Sequence, residues 1–339
     1  MASPELWGFR KLASFPWPVR GAAAASGTQT IRFDLKDYLQ KELVSQLIFR
    51  VVGSIVIAGA GAGVATGQDN PESLIVDINA RHSPTLGLVS KNNLTPRGIL
   101  QQGIFDRGYS IHGTALTDAA ATPAVDYQLP LVFKQPGAVN PVEWGLPMSL
   151  FTSYEFQVRC TGREALFTGG VNTWDPTNLT LEIWADFDYG VAGAFNAVEE
   201  FERTIDVLST KPDLQDFLEK GFLYTHLLYI AELANVKSDA IINSITVQGG
   251  GRIWTPQGDK NYPMIQRSNR ERYVNNSAES LAGTAFIAGL RDGMYTRAID
   301  ALTDRIEQKF DVTFTGGSVN RIRIHGRRII PKALQVRAA

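Results

Sequence analysis

Asp34-Leu-Lys-Asp-Tyr-Leu-Gln-Lys41 recurs as Asp213-Leu-Gln-Asp-Phe-Leu-Glu-Lys220, identical at five of eight positions and mostly conservative at the rest. An apolar run follows each copy, Leu47-Ile-Phe49 in the first and Leu227-Leu-Tyr229 in the second, and a Thr-Ile pair precedes each, at Thr30-Ile31 and Thr204-Ile205. A second doubled mark, Phe-Thr-Gly-Gly, stands at 167–170 and 314–317 and is followed by Val171-Asn172 or Val319-Asn320. The order of marks is the same in both halves, and an ordered repeat fixes architecture before any single motif does. The marks lie 133 residues apart in the first half (34 to 167) and 101 in the second (213 to 314), so the first half carries loop insertions. The division that follows is an N-terminal arm (1–27), a first unit with long insertions (28–195), a second unit (196–335) and a C-terminal tail (336–339).

Both units read as β-structure. Period-2 runs with one apolar face are formed by Tyr127, Leu129, Leu131 and Phe133, by Tyr154, Phe156, Val158 and Cys160, and by Leu179 through Tyr189. Leu74, Val76 and Ile78 supply another, as do Val312 with Phe314 and Ile322 with Ile324. Turn signals such as Asp175-Pro-Thr-Asn178 and Gly249-Gly-Gly251 separate them, the rhythm of β-sandwiches. Helical spacing stands out once, at Tyr295, Ile299, Leu302, Ile306 and Phe310, which predicts a helix there. The 339 residues, 44% hydrophobic and only 20% charged, exclude a mainly disordered chain.

Net charge is -1, but its distribution is uneven: residues 1–50 carry seven basic and four acidic groups, 101–240 carry eight and 19, and 301–339 carry eight and three. From Arg321 onward there are six basic residues and no acid, a solvated strand face with a basic tail, or a contact for phosphates or anionic headgroups. In the arm, Trp7, Phe9, Phe15 and Trp17 interleave with Arg10, Lys11 and Arg20 before a small-residue hinge at 21–27, which suits a membrane interface or a groove on a partner subunit. Trp7, Phe9, Arg10, Lys11, Trp17, Arg327 and Arg328 are therefore the candidate contact residues for a membrane or a neighbouring copy. Met1 to Ser26 lacks the compact apolar stretch of a secretory signal. Val51 to Gln68 is uncharged but glycine-rich and reads as a buried strand running into a loop rather than a membrane span.

Signatures of chemistry are wanting. Gly59-Ala-Gly61-Ala-Gly63 imitates a dinucleotide fingerprint, but Val64 stands where the third glycine belongs and no crossover helix fits before Pro71. His82, His112, His226 and His325 are far apart and show no metal-binding spacing, and the single Cys160 excludes a disulfide framework within the chain and any Cys-rich zinc site. No catalytic, cofactor or metal residue is assigned. Glu182, Asp186 and Asp188 share a strand face, and Arg267, Arg270 and Arg272 with Tyr262 and Tyr273 form a basic, aromatic patch suited to nucleic acid or a neighbouring subunit.

Two successive β-rich units with basic ends and no catalytic signature resemble the double jelly-roll major capsid proteins of tailless icosahedral viruses, particularly the lipid-containing bacteriophages. The doubled blocks, Leu129-Pro-Leu-Val-Phe133 and the 179–189 strand carry this resemblance, which covers about residues 28–335 and is architectural. It implies an all-β fold of two tandem jelly-roll sandwiches and a structural protein without enzymatic activity or cofactor. It further implies homotrimers of pseudo-hexagonal outline tiling a shell, outward towers from the first unit's insertions, and an arm lying near an internal membrane. The implied partners are other copies of the chain, minor capsid and vertex proteins, and possible internal lipid; contact with the genome is left open. The implied location is the virion, after assembly in the host cytoplasm. Two other classes compete: a carbohydrate- or receptor-binding two-domain β-sandwich (adhesin or phage receptor-binding protein) using Trp174 and Trp184, and a glycoside-cleaving sandwich using Glu182 or Asp186.

Overall fold

The computed structural model describes residues 7–18, 27–84, 92–107, 110–134, 145–189, 198–258, 260–274, 281–288 and 298–329. Sixteen principal strands build two sandwiches. The first contains β1 (Trp7–Pro16), β2 (Gln29–Asp34), β3 (Leu43–Ser54), β4 (Ile75–Pro84), β5 (Asn92–Leu94), β6 (Ala124–Val132), β7 (Phe151–Cys160) and β8 (Thr180–Asp188). The second contains β9 (Val198–Asp206), β10 (Lys211–Phe217), β11 (Leu223–Leu233), β12 (Ile242–Gly249), β13 (Arg252–Ile253), β14 (Thr284–Ala288), β15 (Glu307–Val312) and β16 (Asn320–Ile329). Main sheet orders are β1-β8-β3-β6 over β2-β7-β4-β5 in the first, and β9-β16-β11-β14 over β10-β15-β12-β13 in the second. The second pair of sheets repeats the first strand for strand, and every pairing is antiparallel.

Alternation explains the strands. In β8, Leu181, Ile183, Ala185 and Phe187 are buried while Thr180, Glu182, Trp184 and Asp186 are only partly so. β7 turns Phe156, Val158 and Cys160 inward, and burial pushes the Cys160 thiol well above its usual range, which makes it inert. Phe33 stacks on Phe156 at 5.3 Å with Phe49 edge-on to both, in a core that takes residues from every main strand of the first sandwich, β1 contributing the partly buried Leu12, Ala13 and Phe15. Each such fully buried ring contributes about 1.5–3 kcal/mol. A separate core around Tyr229, Ile245, Phe310 and Ile324 fills the second sandwich.

The doubled marks fall close to equivalent places. Residues 34–41 follow the end of β2 and lead to β3, whereas 213–217 form the end of β10 and only 218–220 lead on toward β11; Leu39 and Leu218 are buried in both. Both Phe-Thr-Gly-Gly blocks link the seventh strand to the eighth. The Thr-Ile pairs, in contrast, do not correspond: Thr30-Ile31 lies in β2 and Thr204-Ile205 in β9. That mismatch exposes the main correction. β9 leads almost directly into β10, whereas β1 is separated from β2 by residues 17–28, so the first strand of the first sandwich looked like a detached arm. In fact β1 pairs with β8 from Trp7↔Asp188 to Pro16↔Thr180. Residues 1–6 and 19–26 of the expected arm, and the tail 336–339, lie outside the described residues.

Two further expectations change. Ile299–Asp300 is a short strand and Glu307–Val312 is β15, so no helix spans 298–310; Ile299, Ile306 and Phe310 are buried from separate segments, Leu302 is exposed, and Tyr295 lies outside the described residues. β4 does not alternate through Leu74, Val76 and Ile78, because a bulge opposite Arg159 and Cys160 leaves Ile75 and Ile78 inside and Val76 half-buried. The α-helices among the described residues are α1 (Pro96–Arg107) and α2 (Tyr262–Tyr273). Each joins the fifth strand of its sandwich to the sixth. Thr95 accepts from the Gly98 N–H at 3.3 Å and starts α1, with Pro96 at its first position. Asn269 pins α2 to β14, accepting from Phe286 N and donating to Phe286 O. Among the described residues no helix is long and apolar enough to cross a membrane.

Candidate functional site: a buried charged seam

α1 belongs to the first sandwich but lies across the outer face of β9, β16 and β11 of the second. Ile104 and Phe105 pack with Leu228, Ile230 and Phe286, the Phe105 and Phe286 rings stacking at 4.1 Å. Around this apolar patch the contact is ionic. Arg97 bridges Asp69 at 2.8 Å and Glu232 at 2.7 Å, and Arg323 reaches Glu232 and Glu202. Arg327, 1% exposed, is gripped by Glu200 at 2.8 Å and by Asp106 of α1. Arg328 pairs with Glu199 at 2.6 Å and lies 3.8 Å over the Phe222 ring. Glu199 also meets His82 of β4 at 3.1 Å, which ties the sandwiches together a second time. Gly98 is required here, because a Cβ would lie 2.3 Å from Glu202 Oε2 and 2.5 Å from His325 Nδ1.

Three of the four histidines sit in this seam, in different electrostatic surroundings. His325 is buried between Glu200 and Glu202, each 3.3 Å away; burial opposes its charge, but the two carboxylates raise its pKa to about 9. His226, bonded to Gln102 at 2.7 Å, is driven well below its ordinary value by burial and by the charges of Arg327 and His325, and is neutral. Burial opposes the ionisation of Glu199, yet Arg328 and His82 hold its pKa at about 2. Buried pairs of this kind add little net stability over apolar packing, but removing one partner is costly, so their value lies in enforcing a single docking geometry. Beside the seam opens a cavity of about 410 Å³ lined by Asp69, Asp77, Arg97, Arg159, Glu232 and Arg323. Three of its four arginines are matched to carboxylates, Arg159 to Asp77, Arg97 to Asp69 and Arg323 to Glu232, while Arg321 lies 3.7 Å from the same Glu232. Among the described residues no group of three metal-ligating side chains converges.

No family model and no curated protein matches the sequence. Solved structures do. The chain superposes on the STIV MCP over 98% of its own length and 99% of that chain, with a TM-score of 0.70 at 12% identity. It matches the atomic structure of Sulfolobus Turreted Icosahedral Virus over 98% and 93%, at 0.69 and 13%. It matches the major capsid protein P2 from Bacteriophage PM2 over 95% and 97%, at 0.52 and 13%. The fold is the double jelly roll. Coverage this complete includes both rolls.

Within the double jelly roll, the expected contact residues separate into two groups. Trp17 is buried, its indole N–H donating to the Thr161 carbonyl at 3.2 Å, so it faces neither membrane nor neighbour. Arg327 and Arg328 are likewise interior: the basic run from Arg321 is the strand β16, and its counter-ions come from β9, β11 and α1, far away in sequence. Phe9, Arg10 and Lys11 do reach the surface, Phe9 and Lys11 on the outer face of β1 and β8 and Arg10 on the opposite face, 5.3 Å over the Phe187 ring. Phe9 stacks on Trp184 at 5.4 Å, Arg10 donates to the Tyr38 carbonyl, and Lys11 pairs with Glu182. Trp7 pairs through its backbone with Asp188; its side chain lies outside the described residues. Trp17→Phe keeps the packing but orphans the Thr161 carbonyl, and should lower stability by about 1 kcal/mol in urea unfolding.

Each competing reading loses one of its two residues, while Trp184 and Asp186 stay half-buried on the outer face of β8. Trp174 is 2% exposed and donates to Asp118, so it offers no platform to a sugar. Glu182 is partly buried, which raises its pKa, but Lys11, Trp184 and Arg50 outweigh this and hold it below the ordinary carboxylate range, unsuited to a general acid. The glycine string at 59–63 serves close packing: Gly61 O accepts from Val171 N, and Gly63 N donates to Asp118. Asp118, which sequence reasoning missed, organises the first roll's loop cluster by accepting from Gly63, Trp174 and Arg163. Asp118→Ala should loosen these loops, so that limited proteolysis cuts within 59–68 or 162–178 at protease levels that leave the wild type intact while the strand core stays folded.

Proposed function

We propose that the chain is a major capsid protein of an icosahedral virus, a structural rather than catalytic protein that assembles through homotrimeric capsomers of pseudo-hexagonal outline. The observation that carries this reading is the superposition of both rolls, with their connection, over 98% of this chain and 99% of the STIV MCP. The seam supports it physically, because two rolls locked by interdigitated buried charges behave as one rigid tile. A bacteriophage origin rests on the sequence resemblance; the structural likeness is greater to the Sulfolobus virus (0.69) than to the PM2 protein (0.52). Virion localisation, assembly in a host cytoplasm, minor capsid and vertex partners and an underlying membrane belong to the same proposal. The test is the mass of the purified protein by light scattering over concentration and salt, with negative-stain imaging of the same fractions. A mass near three times 37.2 kDa, with six-sided particles that form sheets or shells, supports the reading. A two-lobed monomer that never associates overturns it.

A further inference from the structure

The cavity beside the seam lies where the two rolls meet. The first roll supplies parts of the 68–77 and 159–165 segments and the start of α1, and the second supplies β11 and β16. At about 410 Å³ the cavity falls in the ordinary size range of small-molecule sites and far exceeds the roughly 30 Å³ share of a single water. Two buried polar atoms in its lining have no hydrogen-bond partner among the described residues: Nε of Arg321, a donor, and Oε2 of Glu232, an acceptor. Their residues face each other across β16 and β11, and the two atoms lie 3.7 Å apart, within reach of an ion pair but too far for a hydrogen bond. Glu232 is 1% exposed and gives its other oxygen to Arg97 and Arg323, each at 2.7 Å, so its carboxylate is held in one orientation.

A buried donor and a buried acceptor left side by side are both costly, and one group satisfies both when the same atom accepts and donates. A hydroxyl does this: seated between the two, it accepts from Arg321 and donates to Glu232. The charge of the lining decides what carries that hydroxyl. Four arginines and four acids face the cavity, so it is formally neutral. An anion entering it meets four carboxylates, and a cation meets four guanidiniums, whereas a neutral ligand rich in hydroxyls finds matched donors and acceptors. Val76, Pro96 and Ala165 add an apolar wall for the C–H groups of such a ligand, and Ser73 and Asn235 add further polar groups.

We propose that this cavity binds a neutral polyhydroxyl ligand, a single sugar unit that is either free or the end of a glycan chain, with one hydroxyl held between Arg321 and Glu232. The site lies wholly within one chain, so it stands independently of how copies assemble. Because both rolls line it, a bound sugar also stabilises the docked arrangement of the rolls over any state in which they part.

Saturation-transfer NMR on the full chain tests this, with the methyl glycosides of glucose, galactose, mannose and N-acetylglucosamine as probes and a glycan array alongside. At least one methyl glycoside should bind in the millimolar range, and its permethylated form, which accepts hydrogen bonds but donates none, should not. Arg321→Met should weaken binding about tenfold, the cost of one unmet buried partner. Val76→Phe removes no charge but fills the cavity, and should abolish binding; urea unfolding checks that both variants fold. Array binding without any methyl glycoside supports the site and assigns it to the end of a longer glycan. Binding by neither probe set leaves the cavity to water and overturns the proposal, as does sugar binding that both folded variants retain. Tighter binding of inorganic phosphate than of any sugar overturns the assignment of a neutral ligand. The capsid reading, tested by mass and imaging, is untouched by each of these results.

Discussion

Arg327→Met should destabilise the chain by about 3–5 kcal/mol, one of the largest effects expected of any single substitution outside the apolar cores. The arginine is enclosed, and both of its carboxylate partners lose their counter-charge when it goes: Asp106 on α1 and Glu200 on β9. Glu200 keeps His325 at 3.3 Å, so Asp106 is the group left worse off, with the Gln102 amide as its remaining donor. Arg327→Met/Asp106→Asn should therefore recover part of the loss, with a coupling of about 0.5–3 kcal/mol in a double-mutant cycle. The exposed Arg267–Glu271 pair on α2 gives the contrast: removing Arg267 should cost only about 0.3–0.5 kcal/mol in the same urea experiment. Equal losses at the two sites would mean that the seam is hydrated and does not lock the rolls.

The seam also explains what the sequence revealed and what it hid. Alternation in β7 and β8, the doubled marks and the tandem arrangement were legible because each roll buries one face of each sheet in its own core, and period-2 patterning reports that face directly. The other face of β9, β11 and β16 is buried too, but against α1, and apart from Leu228 and Ile230 it is rich in Glu, His and Arg. Patterning sees a polar face and reads it as solvated. Arg327 and Arg328 accordingly look like a surface patch, although their acids Glu200 and Glu199 stand far upstream in the sequence. α1 is hidden for a related reason: Ile99 and Leu100 face the first core, while Ile104 and Phe105 join Arg97, Gln101, Gln102 and Asp106 against the second roll, so burial on both sides with polar residues blurs the amphipathic signal. β1 is hidden in the sequence for a different reason. A strand joined to its sandwich by a long connection carries no local sign of where it pairs, and only the position of β9 in the second roll shows that the first roll needs one.

His325 makes the seam sensitive to alkali. Its folded pKa of about 9 stands above the ordinary 6.5, so between those values the folded chain holds a proton that the unfolded chain has released. The stabilisation is fully present below about pH 6.5, declines as pH rises, and is gone above about pH 9, an effect on the order of 3 kcal/mol for a shift of this size. The carboxylates act at the other end: Glu200 and Glu202 are held below their ordinary values and Glu199 at about 2, so their contribution is present above about pH 4.5 and lost as pH falls toward 2. Urea unfolding from pH 6 to 9.5 should thus show a falling midpoint in the wild type. His325→Gln should start lower, because Glu200 and Glu202 lose their shared cation, and should lack that fall, so the two curves converge at the alkaline end. Parallel curves would place the titration elsewhere. The geometry makes the direction firm: once His325 is neutral, the two buried carboxylates on β9 retain only Arg327 and Arg323 as counter-charges, and these already serve Asp106 and Glu232. Alkali should therefore loosen the grip between the rolls before it disturbs either core, with protease sensitivity appearing first around α1.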